Sequence, residues 1–425
     1  MRVRIVLGVV LAATLLLGLG AVLGRPTGGA PAAAPAERPQ ATNRLAALQE
    51  RLRAVPGDWT AWAALGEAYL EQARISADPA YYPKAEGALR RSLEVRPDGN
   101  ADALAGLGAL ANARHDFAGA RTLAERALAV NAWSDTAYGV LADAETQLGH
   151  PEAATAAVQR MLDLRPGLAS YTRGSYDLEQ HGKRTEAVAL MRLALSTATA
   201  PADVAFCHQH LGSLAWAAGD VATAARHVSL GLAADPGAVG LWQLKAKLDA
   251  AAGDLTLALS SLDKVVARTP TVDALLDRAR LLQAAGEDPS SSFALARAAH
   301  ALFTANGGTD DLGAASLALA SGDAAGAARL ALAEWDRRQF GEVADMVAWT
   351  LLAAGEPGAA LPFARRANAL GQVDATLAYH YGMVAHAAGL KDTALVQLRL
   401  ALALNPTFSP TDAPIAVRTL AALES

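Results

Sequence analysis

His208–Pro236 reads HQHLGSLAWAAGDVATAARHVSLGLAADP, and this stretch decides the fold. It holds two apolar, alanine-rich runs of helical length, separated by Gly219 and Asp220. Glycine after a helical run supplies the left-handed backbone that closes the helix, and an acidic residue next to it opens another. The stretch is therefore a helix-turn-helix. Outward from it the same glycine recurs as Gly149, Gly182, Gly219, Gly253, Gly286, Gly322, Gly355 and Gly389, at gaps of 33, 37, 34, 33, 36, 33 and 34 residues. Five residues beyond these glycines stand Ala154, Ala187, Ala224, Ala258, Ala327, Ala360 and Ala394. The alanine series continues backwards to Ala120 and Ala85, and Ser291 interrupts it. A fixed period of this length marks stacked units, none of which can bury its apolar face alone.

The units have a fuller pattern. The first carries Trp62, Leu65, Gly66 and Tyr69, then, after seven extra residues, Ala85, Leu89, Ser92 and Pro97. The third carries Tyr138, Leu141, Ala142, Ala154, Val158, Met161 and Pro166, and the fifth His208, Leu211, Gly212, Ala215, Ala224, Val228, Gly231 and Pro236. The last carries Ala378, Tyr381, Gly382, Ala385, Ala394, Leu398, Ala401 and Pro406. On these residues the chain resembles the tetratricopeptide-repeat (TPR) family, whose unit of about 34 residues has W-x2-L-G-x2-Y, then A-x3-F, then P. The resemblance implies an all-α fold: a right-handed superhelical solenoid of about ten helix-turn-helix units between about Asp58 and Pro406. The unit near Leu275 to Phe303 departs most, with Ser291 at the alanine position and no closing proline, and the next unit lacks the proline too. After the last unit, a proline-marked break precedes a helix expected from about Ala413 to Leu423, which would cap the array. Small residues such as Gly66, Ala142 and Gly212 are expected to face Ala85, Ala154 and Ala224 across their hairpins, letting the helices approach closely.

Composition agrees with many small-residue helices. Of 425 residues, 52% are hydrophobic but only 5% aromatic, and alanine, the best helix former, carries much of the difference. A net charge of −5 gives no basic footprint for nucleic acid. The single cysteine, Cys207, excludes an intramolecular disulfide and a CxxC motif.

Ile5 to Gly24 are twenty uncharged, mostly apolar residues flanked by Arg2, Arg4 and Arg25. As a helix this run is about 30 Å long, enough to cross a hydrocarbon core, and the arginines before it direct the rest of the chain out of the cytoplasm. The expected organisation is thus a transmembrane anchor or signal segment over 1–24, a disordered proline- and alanine-rich linker over 25–43, and the solenoid over 44–425. A cleaved signal peptide is the alternative reading of the first segment, and either makes this an exported or membrane-anchored bacterial member of the family. The membrane is expected to be met through that N-terminal helix only.

Motifs for chemistry dissolve on inspection. Gly106, Gly108 and Ala111 match the spacing of a dinucleotide fingerprint, but no strand precedes them. Cys207, His208 and His210 cluster near His227, yet His208 and His210 lie about 200° apart on a helix and share no ligand shell. No cofactor, no metal and no catalytic residues are expected, and the chain is read as a non-enzymatic interaction protein.

In TPR proteins the face of the first helix that points away from its hairpin partner lines a concave groove. Carried over position by position, the resemblance places Asp143, Tyr176, Gln209, Trp216, Lys247, Arg280, Trp349, Tyr379 and Met383 on that face. The aromatic residues and Arg280 are the residue types that most often carry interface energy. A lysine and asparagine clamp for a chaperone carboxylate would require other residues than Ala63 and Glu67 in the first unit. The expected partner is a protein or peptide, with a self-associating envelope role or service as an accessory subunit of an exported enzyme as alternatives.

Overall fold

A computed structural model describes residues 38–425. Helix α1 (Arg38–Ala54) includes the last six residues of the segment expected as a linker. The apolar run Ile5–Gly24 and the rest of the expected linker lie outside the described residues. Among the described residues, no helix is long and apolar enough to cross a membrane.

From Trp59 to Leu404 the chain forms ten antiparallel helical hairpins, α2 (Trp59–Ser76) with α3 (Tyr82–Val95) through α20 (Ala375–Ala387) with α21 (Lys391–Leu404). The final helix α22 (Asp412–Glu424) packs on α21. The turns follow the sequence signals. Asp220, Asp254 and Asp323 cap the second helix of their hairpins by accepting the backbone N–H groups of Thr223, Leu257 and Gly326. The same three residues donate their own N–H to Ala215, Asp249 and Ala318, closing the preceding helix in a Schellman arrangement around the glycine. Trp62 and Trp242, at equivalent places, each donate their indole N–H to a proline carbonyl six residues earlier, Pro56 and Pro236, at 2.9 Å. That repeated bond fixes the register of the units independently of the glycines.

The alanine ladder is the hairpin seam: Ala85, Ala120, Ala187, Ala224, Ala258, Ala327, Ala360 and Ala394 are fully buried. In the irregular unit the ladder position belongs to buried Ser292 and not to exposed Ser291, because one extra turn residue shifts the second helix, α15 (Ser290–Ala305). The small residues of the first helices lie against the alanine seam, as expected: a Cβ on Gly66 would stand 3.2 Å from the Ala85 carbonyl, and one on Gly212 3.6 Å from that of Ala224. They also give room to leucines, Gly66 to Leu89 and Gly212 to Leu244 of the following hairpin. The seven extra residues of the first unit form a short 3-10 turn, Pro79–Tyr81, after Ala77 ends α2 in the left-handed region at φ +50°.

The array coils until its second half meets its first. Arg114 donates from Nε to the Asn306 carbonyl (3.1 Å), and its own carbonyl accepts the Thr309 N–H (3.0 Å). His115 Nδ1 bonds the Thr309 carbonyl at 3.0 Å. Further along, Arg338 reaches Gln147, Arg184 Nη2 donates to the Val373 carbonyl (3.1 Å), and Asn405 Nδ2 donates to the Trp216 carbonyl (3.0 Å). The separations in sequence are 189 to 195 residues throughout. A nearly constant offset is the mark of a superhelix whose successive turns touch, since each unit adds the same small rotation.

Candidate functional site

Polarity sorts by helix. The exposed large apolar residues Leu193, Leu230, Leu257, Leu295 and Val396 all lie on second helices of hairpins. Most enclosed charged residues, Glu145, Arg173 and Asp345 among them, lie on first helices, which makes these helices the inner wall of the coil; Glu334, on the second helix of its hairpin, is buried as well.

On α6 (Asp135–Leu148), Asp143 receives two bonds from the buried Arg173 of α8 (Leu168–Gln180), each at 2.9 Å. Tyr176 and Glu179 stand one and two turns further along α8. Burial, together with Glu342, Glu179 and Asp143 around it, pushes the Tyr176 hydroxyl far above its ordinary range. Lys247 of α12 (Val239–Ala251) is enclosed; burial lowers its ammonium group against the pull of Asp277 and Asp374. Arg280 of α14 (Val272–Ala284) bonds Asp277 at 2.7 Å.

Acid predominates on this wall. Burial first, and then Asp310, Asp277 and Glu342 beside it, push the Asp273 carboxyl up to about 8. Burial raises Glu342 to about 7, with Asp345, Asp310 and Glu334 adding to it against Arg338. Glu179 is likewise raised to about 7 by burial and by Asp374, which belongs to the last hairpin. Like charges confined in a space of low dielectric disfavour ionisation, and the three carboxyls report that confinement. None of the three is in a salt bridge among the described residues.

The nine residues expected on the groove therefore divide. Asp143, Tyr176, Lys247 and Arg280 are half-buried on the wall and share charged neighbours. Gln209 lies flat over the backbone of Gly240, and Trp216 packs partly against the cluster of Val228 and Leu244 while its carbonyl accepts Asn405. Trp349 and Tyr379 do not offer the accessible rings that were expected, being 2% and 1% exposed. Trp349 of α18 (Gly341–Ala353) stacks on His380 with ring centroids 3.9 Å apart, and Tyr379 packs on Phe408 beyond the last hairpin. His380 is itself fixed by Asp345 at 2.8 Å. Met383 packs against the same cluster. Tyr379 and His380 of α20 thus cover Trp349 at this end of the array.

Sequence reasoning missed Arg173, Asp273, Asp277 and Glu342. The signal was present: Asp273 and Asp277 precede Arg280 by two turns and one turn, and Glu342 precedes Trp349 by two, so each shares a helix face with a residue already assigned.

The histidine cluster brings two of its rings together. His208 and His227 meet Nδ1 to Nδ1 at 2.9 Å, a bond that requires at least one neutral ring, while His210 packs on Phe206 on another side of the helix. Cys207 is buried with Met191 and Leu211, and burial pushes its thiol up to about 12. Among the described residues, no three His, Cys, Asp or Glu side chains are placed to hold a metal ion.

No protein-family model matches the sequence, and no curated protein matches it. Solved structures do. The chain is similar to a thermophilic TPR protein of Thermus thermophilus, at 22% identity over 43% of this chain and 99% of that one, with a TM-score of 0.39. It is similar to a tetratricopeptide repeat protein of Parabacteroides merdae, at 16% identity over 61% of this chain and 99% of that one, with a TM-score of 0.37. A chain of the APC/C hetero-tetramer Cut9-Hcn1 matches at 14% identity over 91% of this chain and 94% of that one, with a TM-score of 0.41.

Proposed function

We propose that this chain is a TPR-type scaffold that binds an extended segment of another protein along its inner wall, and that it works without catalysing a reaction. The observation that carries the reading is the segregation of half-buried polar and charged groups onto first helices, while second helices show scattered apolar residues to solvent. With Glu179, Asp273 and Glu342 outside any salt bridge among the described residues, a segment bearing lysine or arginine is the occupant the wall favours. The apolar run Ile5–Gly24, with arginines before it, supports placing this scaffold outside the cytoplasm, tethered by its N-terminal helix or released after cleavage.

The test is photocrosslinking in intact cells, with a photoreactive residue placed at Lys247 on the inner wall or at Leu230 on the outer face. Protein adducts from position 247 and none from 230 are expected. Adducts from position 230 alone would move the binding surface to the outside of the coil. Protease added to spheroplasts in the same preparation should remove the hairpins, and their protection would place them in the cytoplasm.

A further inference from the structure

We propose that the line where the two superhelical turns touch is a zipper, which opens and recloses as a unit while every hairpin stays folded, and so gates the inner wall. Its rungs run in order along the coil: Arg114 and His115 with Asn306 and Thr309, Gln147 with Arg338, Arg184 with Val373, and Trp216 with Asn405. Between the rungs, turn glycines of the first turn approach backbone carbonyls of the second. Gly149 lies against the Gln339 carbonyl, Gly182 against that of Gly371, and Gly219 against that of Leu404, each so closely that a Cβ would collide with the oxygen.

Three observations make this line separable from the rest. Extensive helix-to-helix packing is confined to helices adjacent or next-adjacent in the chain, so the hairpin stack does not depend on the line for its core. Most rungs end on backbone carbonyls at turns, groups that water satisfies nearly as well once they part. Like charges also face each other across the coil, since Glu179 of the first turn stands near Asp374 of the second. Apolar contacts also cross the line: Phe303 packs on Tyr82 and His115 at the end nearest the N-terminus, and Tyr176 packs against the cluster that holds Trp349, so opening is expected to start from the Trp216–Asn405 end. A nearly one-dimensional stack allows such opening, because each unit leans chiefly on its neighbours.

The consequence for binding rests on the inner-wall reading, but the opening itself is measured without a partner, so the two can fail separately. The experiment is residue-resolved hydrogen exchange on the full chain, following the Thr309 amide, which bonds the Arg114 carbonyl across the line. Thr309 should exchange at least about tenfold faster than the buried amides of α4 (Ala101–Ala113) and α5 (Phe117–Val130), through an opening that leaves those amides protected. Gly149→Ala should speed Thr309 further and leave the hairpin amides unchanged, whereas Gly253→Ala, with nothing near it, should leave Thr309 alone. Exchange of Thr309 in step with the hairpin amides in the unsubstituted protein would overturn the proposal. So would an unchanged Thr309 rate in folded Gly149→Ala, because the rungs would then not act together.

Discussion

Gly182 and Gly253 do the same local work, and the molecule uses them differently. Each ends the first helix of its hairpin with φ in the left-handed region, +69° and +84°. Around Gly253 there is open space, while Gly182 has the Gly371 carbonyl of the next superhelical turn against it. Selection for a backbone angle tolerates asparagine at a modest cost; selection for a missing Cβ tolerates nothing larger. A turn glycine in a repeat protein thus carries two kinds of information, and only the superhelix tells them apart.

Titration tests the side of this juxtaposition that faces inward, and the largest effect is expected there. Asp273, Glu342 and Glu179 have folded-state values raised to about 8, 7 and 7. A carboxyl raised in the folded state contributes stability that is full below its unfolded value near 4 and is lost as pH rises through the folded value. His210 and His227 work in the opposite direction. Burial lowers both to about 4, so their contribution is present above about 6.5 and lost as pH falls. The three carboxyl losses outnumber the two imidazole gains between about pH 4.5 and 6.5 and act alone above it, so thermal stability should fall as pH rises, by several degrees in all up to about pH 8. Glu179→Gln, which removes the repulsion with Asp374 across the coil, should make that fall shallower up to about pH 7. A fall equally steep in that variant would mean that the two turns do not confront each other with charge.

The glycines themselves supply the next test. Gly253→Ala should cost about 1 to 2 kcal/mol, the penalty of a left-handed angle for an L residue. Gly182→Ala adds a collision with a carbonyl and should cost roughly 2 to 4 kcal/mol in urea denaturation. Equal costs would show that the turns do not press on each other at Gly182.

Much of this was legible in the sequence for a local reason. Glycine, the acidic cap after it and the alanine five positions on act within one hairpin, so ten hairpins and their register could be read from spacing alone. Ser291 misled because one extra turn residue moves the ladder to Ser292, and a serine at either place gives no sign of which is inside. The wall was half legible. Positional transfer picked half-buried first-helix positions at Asp143, Tyr176, Lys247 and Arg280, but not their charged neighbours Arg173, Glu342 and Asp374, which come from other units. It failed for Trp349 and Tyr379 because what covers them, His380 and Phe408, depends on how the last hairpins and the segment beyond them close. The return of the coil on itself was not legible at all. It follows from a small rotation per unit summed over more than five units, and its rungs are mostly backbone carbonyls, which any residue supplies.

His115 joins the two halves of the comparison and carries the smallest effect. It stands 34 residues before Gly149, at the place where later units have glycine, and it keeps the left-handed angle at φ +62°. A non-glycine residue there is strained by about 1 to 2 kcal/mol unless something holds it. What holds it is the line between turns: Nδ1 bonds the Thr309 carbonyl, and the ring lies 5.1 Å from Phe303 and 5.7 Å from Phe117. His115→Ala keeps the strain and loses both contacts, so it should destabilise the protein by about 1 to 2 kcal/mol. His115→Gly loses the same contacts but relieves the strain, and should fall within about 1 kcal/mol of the unsubstituted protein. Comparison of the two urea midpoints decides the point. If glycine is no better than alanine, the angle costs nothing at this turn; if both leave the midpoint unchanged, the imidazole does not hold the turns together and the contact line needs no latch at its N-terminal end.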